Sequence, residues 1–113
     1  MLSQFNFIFK KINNRQLLLL SSLLAIMLFD HYTTYLGLSQ GLYESNASVI
    51  FLINNNIWLI LDLFITLLLF LIPLSLSLYL NDAHVKLIYI MPIITLLLRS
   101  AVCYNNIILI LSL

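Results

Sequence analysis

The chain has 113 residues, of which 63% are hydrophobic and only 8% charged, whereas an ordinary soluble domain is about half apolar and about a quarter charged. A chain this short leaves much of its surface exposed after folding, so its apolar residues exceed what one core can bury and indicate a lipid environment. The net charge of +1 gives no sign of a nucleic-acid partner, and the single cysteine excludes an internal disulfide.

The first sixteen residues are predicted to form a cytoplasmic segment in the membrane interface. Three phenylalanines in this stretch precede Lys10 and Lys11, a mixture typical of an interfacial anchor. An apolar span follows at about residues 17–38. Because no A-x-A site follows it, we interpret this stretch as a membrane span rather than as a cleaved signal peptide.

Two further apolar spans follow, at about residues 57–80 and 87–109, so residues 17–113 are predicted to form a single three-helix transmembrane domain. Each span has the roughly 20 mainly apolar residues that a helix needs to cross hydrocarbon. Only helical backbone satisfies its own hydrogen bonds there. The turn Asn81–His84 is predicted to join spans two and three as a helical hairpin. The predicted fold class is therefore all-α, an integral membrane protein.

The connection after span one, residues 39–56, has an apolar centre with the sequence ASVIFLI. We predict a short segment here that is either interfacial or re-entrant. This connection contains no lysine or arginine, whereas Lys10, Lys11 and Arg15 precede span one and Lys86 lies at the predicted hairpin. The positive-inside rule therefore predicts a multi-pass protein of the cell membrane, with a cytoplasmic N-terminus and an external C-terminus.

Three charged residues interrupt the apolar spans at a similar depth. Asp30 is predicted roughly 20 Å from the inner end of span one, Arg99 roughly 18 Å along span three, and Asp62 roughly 22 Å from the inner surface. Charges at such depth usually face one another because an unpaired charge there is costly. Two aspartates and one arginine leave one negative charge. This negative charge is expected to be removed by protonation of an aspartate, or to be offset by His31, by a partner subunit or by a bound cation.

Polar residues at helical spacing extend these charges into one stripe on each span. Packed inward, the stripes either hold the helices in register or handle protons or ions. The predicted buried polar cluster consists of Asp30, Thr33, Thr34, Asp62, Thr66, Thr95 and Arg99.

Two short motifs lie at the end of span one and in the loop that follows it: DHYTT, beginning at Asp30, and GLYESN, beginning at Gly41. They resemble a family of small archaeal and bacterial membrane proteins of unknown function, which have about three spans, a D-x-x-T-T run and an E-x-N-P element. Ala47 stands where that pattern has proline. The resemblance implies motif positions at Asp30, Thr33, Thr34, Glu44 and Asn46, the last two forming an outer-loop motif.

No metal or other cofactor is predicted. The chain has two histidines, and His84 is expected on the opposite side of the membrane from His31, which disfavours a haem held by both. Asp30, His31 and Glu44 are weak candidates for a metal site at the outer surface, because their spacing matches no strong metal motif.

No catalytic motif is present, and the chain has hardly any soluble mass in which to build an active site. We therefore expect a non-enzymatic accessory subunit of a multi-subunit membrane complex, with respiratory or oxidase-type complexes as a candidate home. Its expected partners are the lipid bilayer and other transmembrane subunits, and not nucleic acid. The alternative is a small homo-oligomeric protein that conducts ions or protons. A third interpretation is an intramembrane enzyme or redox anchor with a metal or haem at His31.

Overall fold

The computed structural model describes residues 13–113, and within this range all regular structure is helical. The all-α prediction is thus confirmed. Most of the predicted interfacial anchor, residues 1–12, lies outside the described range. The helices are α1 (Asn14–Ser39), α2 (Ala47–Asn54), α3 (Trp58–Leu76), α4 (Asp82–Ile88) and α5 (Ile90–Leu111).

Three helical stretches are long and apolar enough to cross a membrane: Asn14–Ser39, Trp58–Leu76 and Asp82–Leu111, the last of which combines α4 and α5. They correspond to the three predicted spans, and the fold is compatible with a membrane-embedded protein. Their identification from the sequence succeeds because length and hydropathy alone decide whether a helix matches the hydrocarbon thickness.

Helix α1 has defined ends. Asn13 and Gln16 form a reciprocal capping box, in which each side chain accepts a hydrogen bond from the other's backbone N–H, at 2.9 and 3.0 Å. At the other end the Gly37 carbonyl accepts a hydrogen bond from the Leu42 N–H at 3.0 Å. The chain turns there through Gly41, whose φ of 94° suits a residue without a side chain.

Helix α1 lies between the other two long helices. It packs most extensively against α5 and next against α3, whereas α3 and α5 touch at few positions. The helices α1 and α5 are parallel, because the Gln16 amide donates to the Tyr89 hydroxyl near their N-terminal ends and Asn106 donates to Thr33 further along both helices. Because α3 and α5 touch at few positions, a tight hairpin between spans two and three stays a prediction.

The predicted turn Asn81–His84 is shifted in the structure. Helix α3 ends at Leu76, and α4 already begins at Asp82, because the Asn81 side chain caps it by accepting a hydrogen bond from the His84 N–H at 3.1 Å. The actual connection is therefore residues 77–81. Helix α4 ends at Ile88, whose carbonyl cannot accept a hydrogen bond from Pro92 because proline has no N–H.

Helix α2 occupies the connection that was predicted to be interfacial or re-entrant. Asn46 caps it by accepting from the Ser48 N–H at 3.0 Å, and none of its residues is buried. It contacts α3, and the chain enters α3 through Asn56, whose φ is 56°. Helix formation here is clear, and the depth of the segment in a membrane stays a prediction.

The buried face of α3 repeats every fourth residue and divides into a polar and an apolar half. Trp58, Asp62 and Thr66 occupy one half, while Phe70 and Leu74, each 1% exposed, occupy the other. Helix α1 has the same division. Leu23 and Met27 are buried in its N-terminal half, and His31, Thr33 and Gly37 in its C-terminal half. The buried polar residues therefore collect towards one end of the bundle.

Candidate functional site

Asp62 is the centre of a buried charge network. It lies on the inward face of α3 and accepts two hydrogen bonds from Arg99 of α5. Arg99 Nη1 donates to Asp62 Oδ2 at 2.8 Å, and Arg99 Nη2 donates to Asp62 Oδ1. This two-pronged arrangement is the strong form of a charge-assisted hydrogen bond. It also fixes the orientation of α5 relative to α3, which otherwise touch little.

His31 joins the same carboxylate from α1. Its Nε2 lies 2.7 Å from Asp62 Oδ2, and because a carboxylate only accepts, Nε2 donates. One aspartate thus connects a residue from each of the three long helices. His31, one of the partners considered from the sequence for offsetting the extra negative charge, therefore contacts the network directly.

Asp30 is a second, looser member of the network. Its Oδ2 lies 3.9 Å from Arg99 Nη1, a distance that allows electrostatic attraction but is too long for a hydrogen bond. Asp30 and His31 are adjacent on α1 and therefore point about 100° apart around the helix. Asp30 consequently faces α5, while His31 faces α3.

An aromatic residue covers the histidine. The ring of Trp58 lies 3.8 Å from the ring of His31, centroid to centroid, and Tyr35 lies 5.6 Å from Trp58. His31 is only 4% exposed as a result. Trp58 is absent from the predicted cluster, although its position four residues before Asp62 on the same helical face was a usable signal.

A polar seam continues the network towards the C-terminal ends of α1 and α5. The Asn106 amide donates to the hydroxyl of Thr33 at 3.2 Å and to that of Thr34 at 3.3 Å. Thr33 in turn donates to the Asp30 carbonyl at 3.1 Å. The structure therefore brings both predicted threonines of α1 to α5. There they meet Asn106, which lies seven residues after Arg99 on the same helical face.

Two of the predicted threonines do not join these contacts. The Thr95 hydroxyl donates to the Met91 carbonyl of its own helix at 3.0 Å and makes no hydrogen bond to the network in the described part of the chain, so its membership of the cluster stays a prediction. Thr95 lies one turn before Arg99 on the same face of α5, but its short side chain bonds to its own backbone, whereas the longer Arg99 side chain reaches Asp62 of α3. Thr66 is buried on the α3 face, and its hydroxyl has no hydrogen-bond partner within residues 13–113.

The outer-loop motif is a local structure. Glu44 Oε1 accepts a hydrogen bond from the Asn46 N–H at 2.7 Å, and Asn46 caps α2. These two residues therefore shape the start of α2 and make no hydrogen bond to the charge network. In the described part of the chain, no three histidine, cysteine, aspartate or glutamate side chains are grouped to hold a metal ion. The candidates Asp30, His31 and Glu44 are thus not brought together.

Comparisons with protein-family models, with curated proteins and with solved structures find no match for this chain. The resemblance to the D-x-x-T-T family stays a prediction. The fold and the site themselves define the class: a helical chain with three helices of membrane-spanning length, joined by a buried network of two aspartates, one arginine and one histidine.

Proposed function

We propose that this chain is a multi-pass protein of the cell membrane and acts as a non-catalytic accessory subunit of a larger membrane complex. In this role it supplies apolar helical surface to its neighbours, and its charge network holds its own three helices in a fixed arrangement. Respiratory and oxidase-type complexes are the candidate complexes to which this subunit would belong.

The observation that carries this proposal is the contrast between charges that pair with one another inside the chain and a mainly apolar exposed surface on the three long helices. Arg99 and His31 Nε2 both donate to the Asp62 carboxylate, while the buried His31 Nδ1 has no hydrogen-bond partner among residues 13–113. Large apolar side chains such as Ile60 and Phe64 are 70% and 59% exposed. A surface of this kind suits lipid and neighbouring transmembrane helices, because neither requires polar partners.

The apolar half of the bundle interior disfavours conduction of protons or ions through a single copy of the chain. Leu23, Met27, Phe70 and Leu74 are each 1% exposed and fill the half of the bundle away from the network. They offer no polar group to a proton or an ion. The alternative, a homo-oligomer that conducts ions or protons, then requires a pathway formed between copies.

Native purification in a mild detergent separates the two interpretations. We expect the chain to co-elute with larger membrane proteins in fixed stoichiometry, as measured by quantitative mass spectrometry. The control is the double variant Asp62→Leu and Arg99→Leu, in which both members of the central ion pair are removed together. Elution as a homo-oligomer that carries proton or cation flux in proteoliposomes would favour the alternative.

The proposed topology places the N-terminus in the cytoplasm and α2 outside. It predicts that a membrane-impermeant thiol reagent applied to intact cells labels a cysteine at Ser45 and does not label one at Ala83, both introduced in a Cys103→Ala background. Both positions are exposed, so access to the reagent depends on the side of the membrane alone. Labelling at Ala83 without labelling at Ser45 would reverse the topology.

A further inference from the structure

A cavity of about 290 Å³ opens beside the polar seam, between α1, α5 and the loop that follows α1. It lies at the C-terminal end of α1, separate from the Asp62 hydrogen bonds. Its polar wall consists of the side chains of Thr33, Thr34, Glu44, Ser45 and Asn106, and its apolar wall includes Leu38, Leu109 and Ile110.

Gly37 lines the cavity where α1 approaches both the loop and α5. A Cβ atom at this position would lie 3.2 Å from Leu42 Cδ1 and 3.8 Å from Ile110 Cγ1. The first distance is tight, so a larger residue here would require the tip of the Leu42 side chain to move by a few tenths of an ångström. The small residue therefore permits the close approach that shapes the cavity wall.

Among the described residues that line the cavity, one has a charged side chain, Glu44, and that charge is negative. Glu44 uses Oε1 to accept from the Asn46 N–H, and within residues 13–113 no ion pair reaches it. Residues 39–56 contain no lysine or arginine, and Arg99 is occupied by Asp62. A partly enclosed carboxylate with hydroxyl groups around it favours a cation.

The size and lining of the cavity narrow the class of cation. Its volume of about 290 Å³ is far larger than one bare metal ion needs and suits a small organic group. Hydroxyl and carboxylate oxygens accept hydrogen bonds from a primary ammonium group. A quaternary ammonium group is typically bound by an aromatic cage. Within residues 13–113 the lining has one aromatic residue, Tyr43, which is 87% exposed.

We propose that this cavity binds a primary ammonium group, carried either by an ethanolamine-type lipid headgroup or by a small free amine. Glu44 provides the counter-charge, Thr34 and Ser45 provide neutral acceptors, and the apolar wall accommodates the adjoining carbon atoms. This inference is independent of the proposed function, because an accessory subunit and a conducting oligomer are equally able to hold such a ligand.

The test compares ligands that differ in their ammonium group. The full chain is purified in a maltoside detergent and offered phosphatidylethanolamine or phosphatidylcholine, with retention measured by native mass spectrometry. In a second arm, ethanolamine or choline is titrated by calorimetry. We expect a preference of about tenfold for the primary ammonium in at least one arm. A preference in the lipid arm alone identifies the headgroup, and a preference in the titration alone identifies a free amine.

Glu44→Gln is expected to abolish the preference, since glutamine keeps an oxygen that accepts from Asn46 but has no charge. Asp82→Asn, an exposed acid outside the cavity, is the matched control and should keep it. Thr34→Val, which removes one acceptor without changing charge, should weaken binding about fivefold. Equal binding of primary and quaternary ligands in both arms overturns the proposal, as does an unchanged preference in Glu44→Gln. If Glu44→Gln does not fold, an unchanged affinity in Thr34→Val overturns it.

Discussion

Replacing Arg99 by leucine is expected to destabilise the protein by about 3 kcal/mol, because the change leaves the buried Asp62 carboxylate without its two guanidinium hydrogen bonds. Losses of about 3–5 kcal/mol are typical when one partner of a buried pair is removed. The lower end is expected here because His31 still contacts one carboxylate oxygen. The measurement is the free energy of unfolding of the purified chain, from denaturation by SDS in mixed micelles.

A double-mutant cycle identifies the partner. The combination of Arg99→Leu with Asp62→Leu is expected to lose far less stability than the sum of the two single changes, with a coupling of about 2 kcal/mol. The same cycle with Asp30→Asn should give a smaller coupling, since Asp30 lies 3.9 Å from the guanidinium without a hydrogen bond. Arg15→Leu, at an exposed arginine, is the control and should have little effect. A larger coupling to Asp30 than to Asp62 would contradict the geometry of the network.

The second large effect is expected at Phe70, which is 1% exposed on the inward face of α3. Phe70→Ala should reduce the free energy of unfolding by about 3 kcal/mol, because it leaves a cavity that neighbouring side chains fill only in part. The low end of the range for such changes is expected, since separated helices in lipid are already shielded from water. The same unfolding measurement applies.

Phe64 offers a matched control on the same helix. It is 59% exposed, and Phe64→Ala should change stability little, because lipid or detergent fills the space that the ring vacates. Because both variants make the same chemical change, comparing Phe64→Ala with Phe70→Ala tests which face of α3 packs against the other helices. Equal losses at Phe64 and Phe70 would show that both faces of α3 are packed, contrary to the observed burial.

The sequence by itself determined that the chain is helical and where its three long apolar helices lie. Backbone hydrogen bonding and hydrophobic length are local requirements, so residues 57–80 could be identified as a span without knowledge of any neighbour. The common depth of Asp30, Asp62 and Arg99 also followed from counting residues along each helix. The start of the third span was harder to predict, because the side-chain cap at Asn81 begins the helix inside the predicted turn.

Only the tertiary structure decided which of these residues meet. Depth along a helix follows from the sequence, whereas rotation about its axis and the choice of neighbour depend on how the whole bundle packs. Packing therefore decides that Asp62, and not Asp30, accepts both hydrogen bonds from the Arg99 guanidinium. It also places the His31 ring against Trp58 and within hydrogen-bond distance of Asp62. The Thr95 hydroxyl instead donates to a carbonyl of its own helix. The cavity beside Glu44 likewise arises because the loop after α1 folds back against α1 and α5, an arrangement between distant segments that no local pattern specifies.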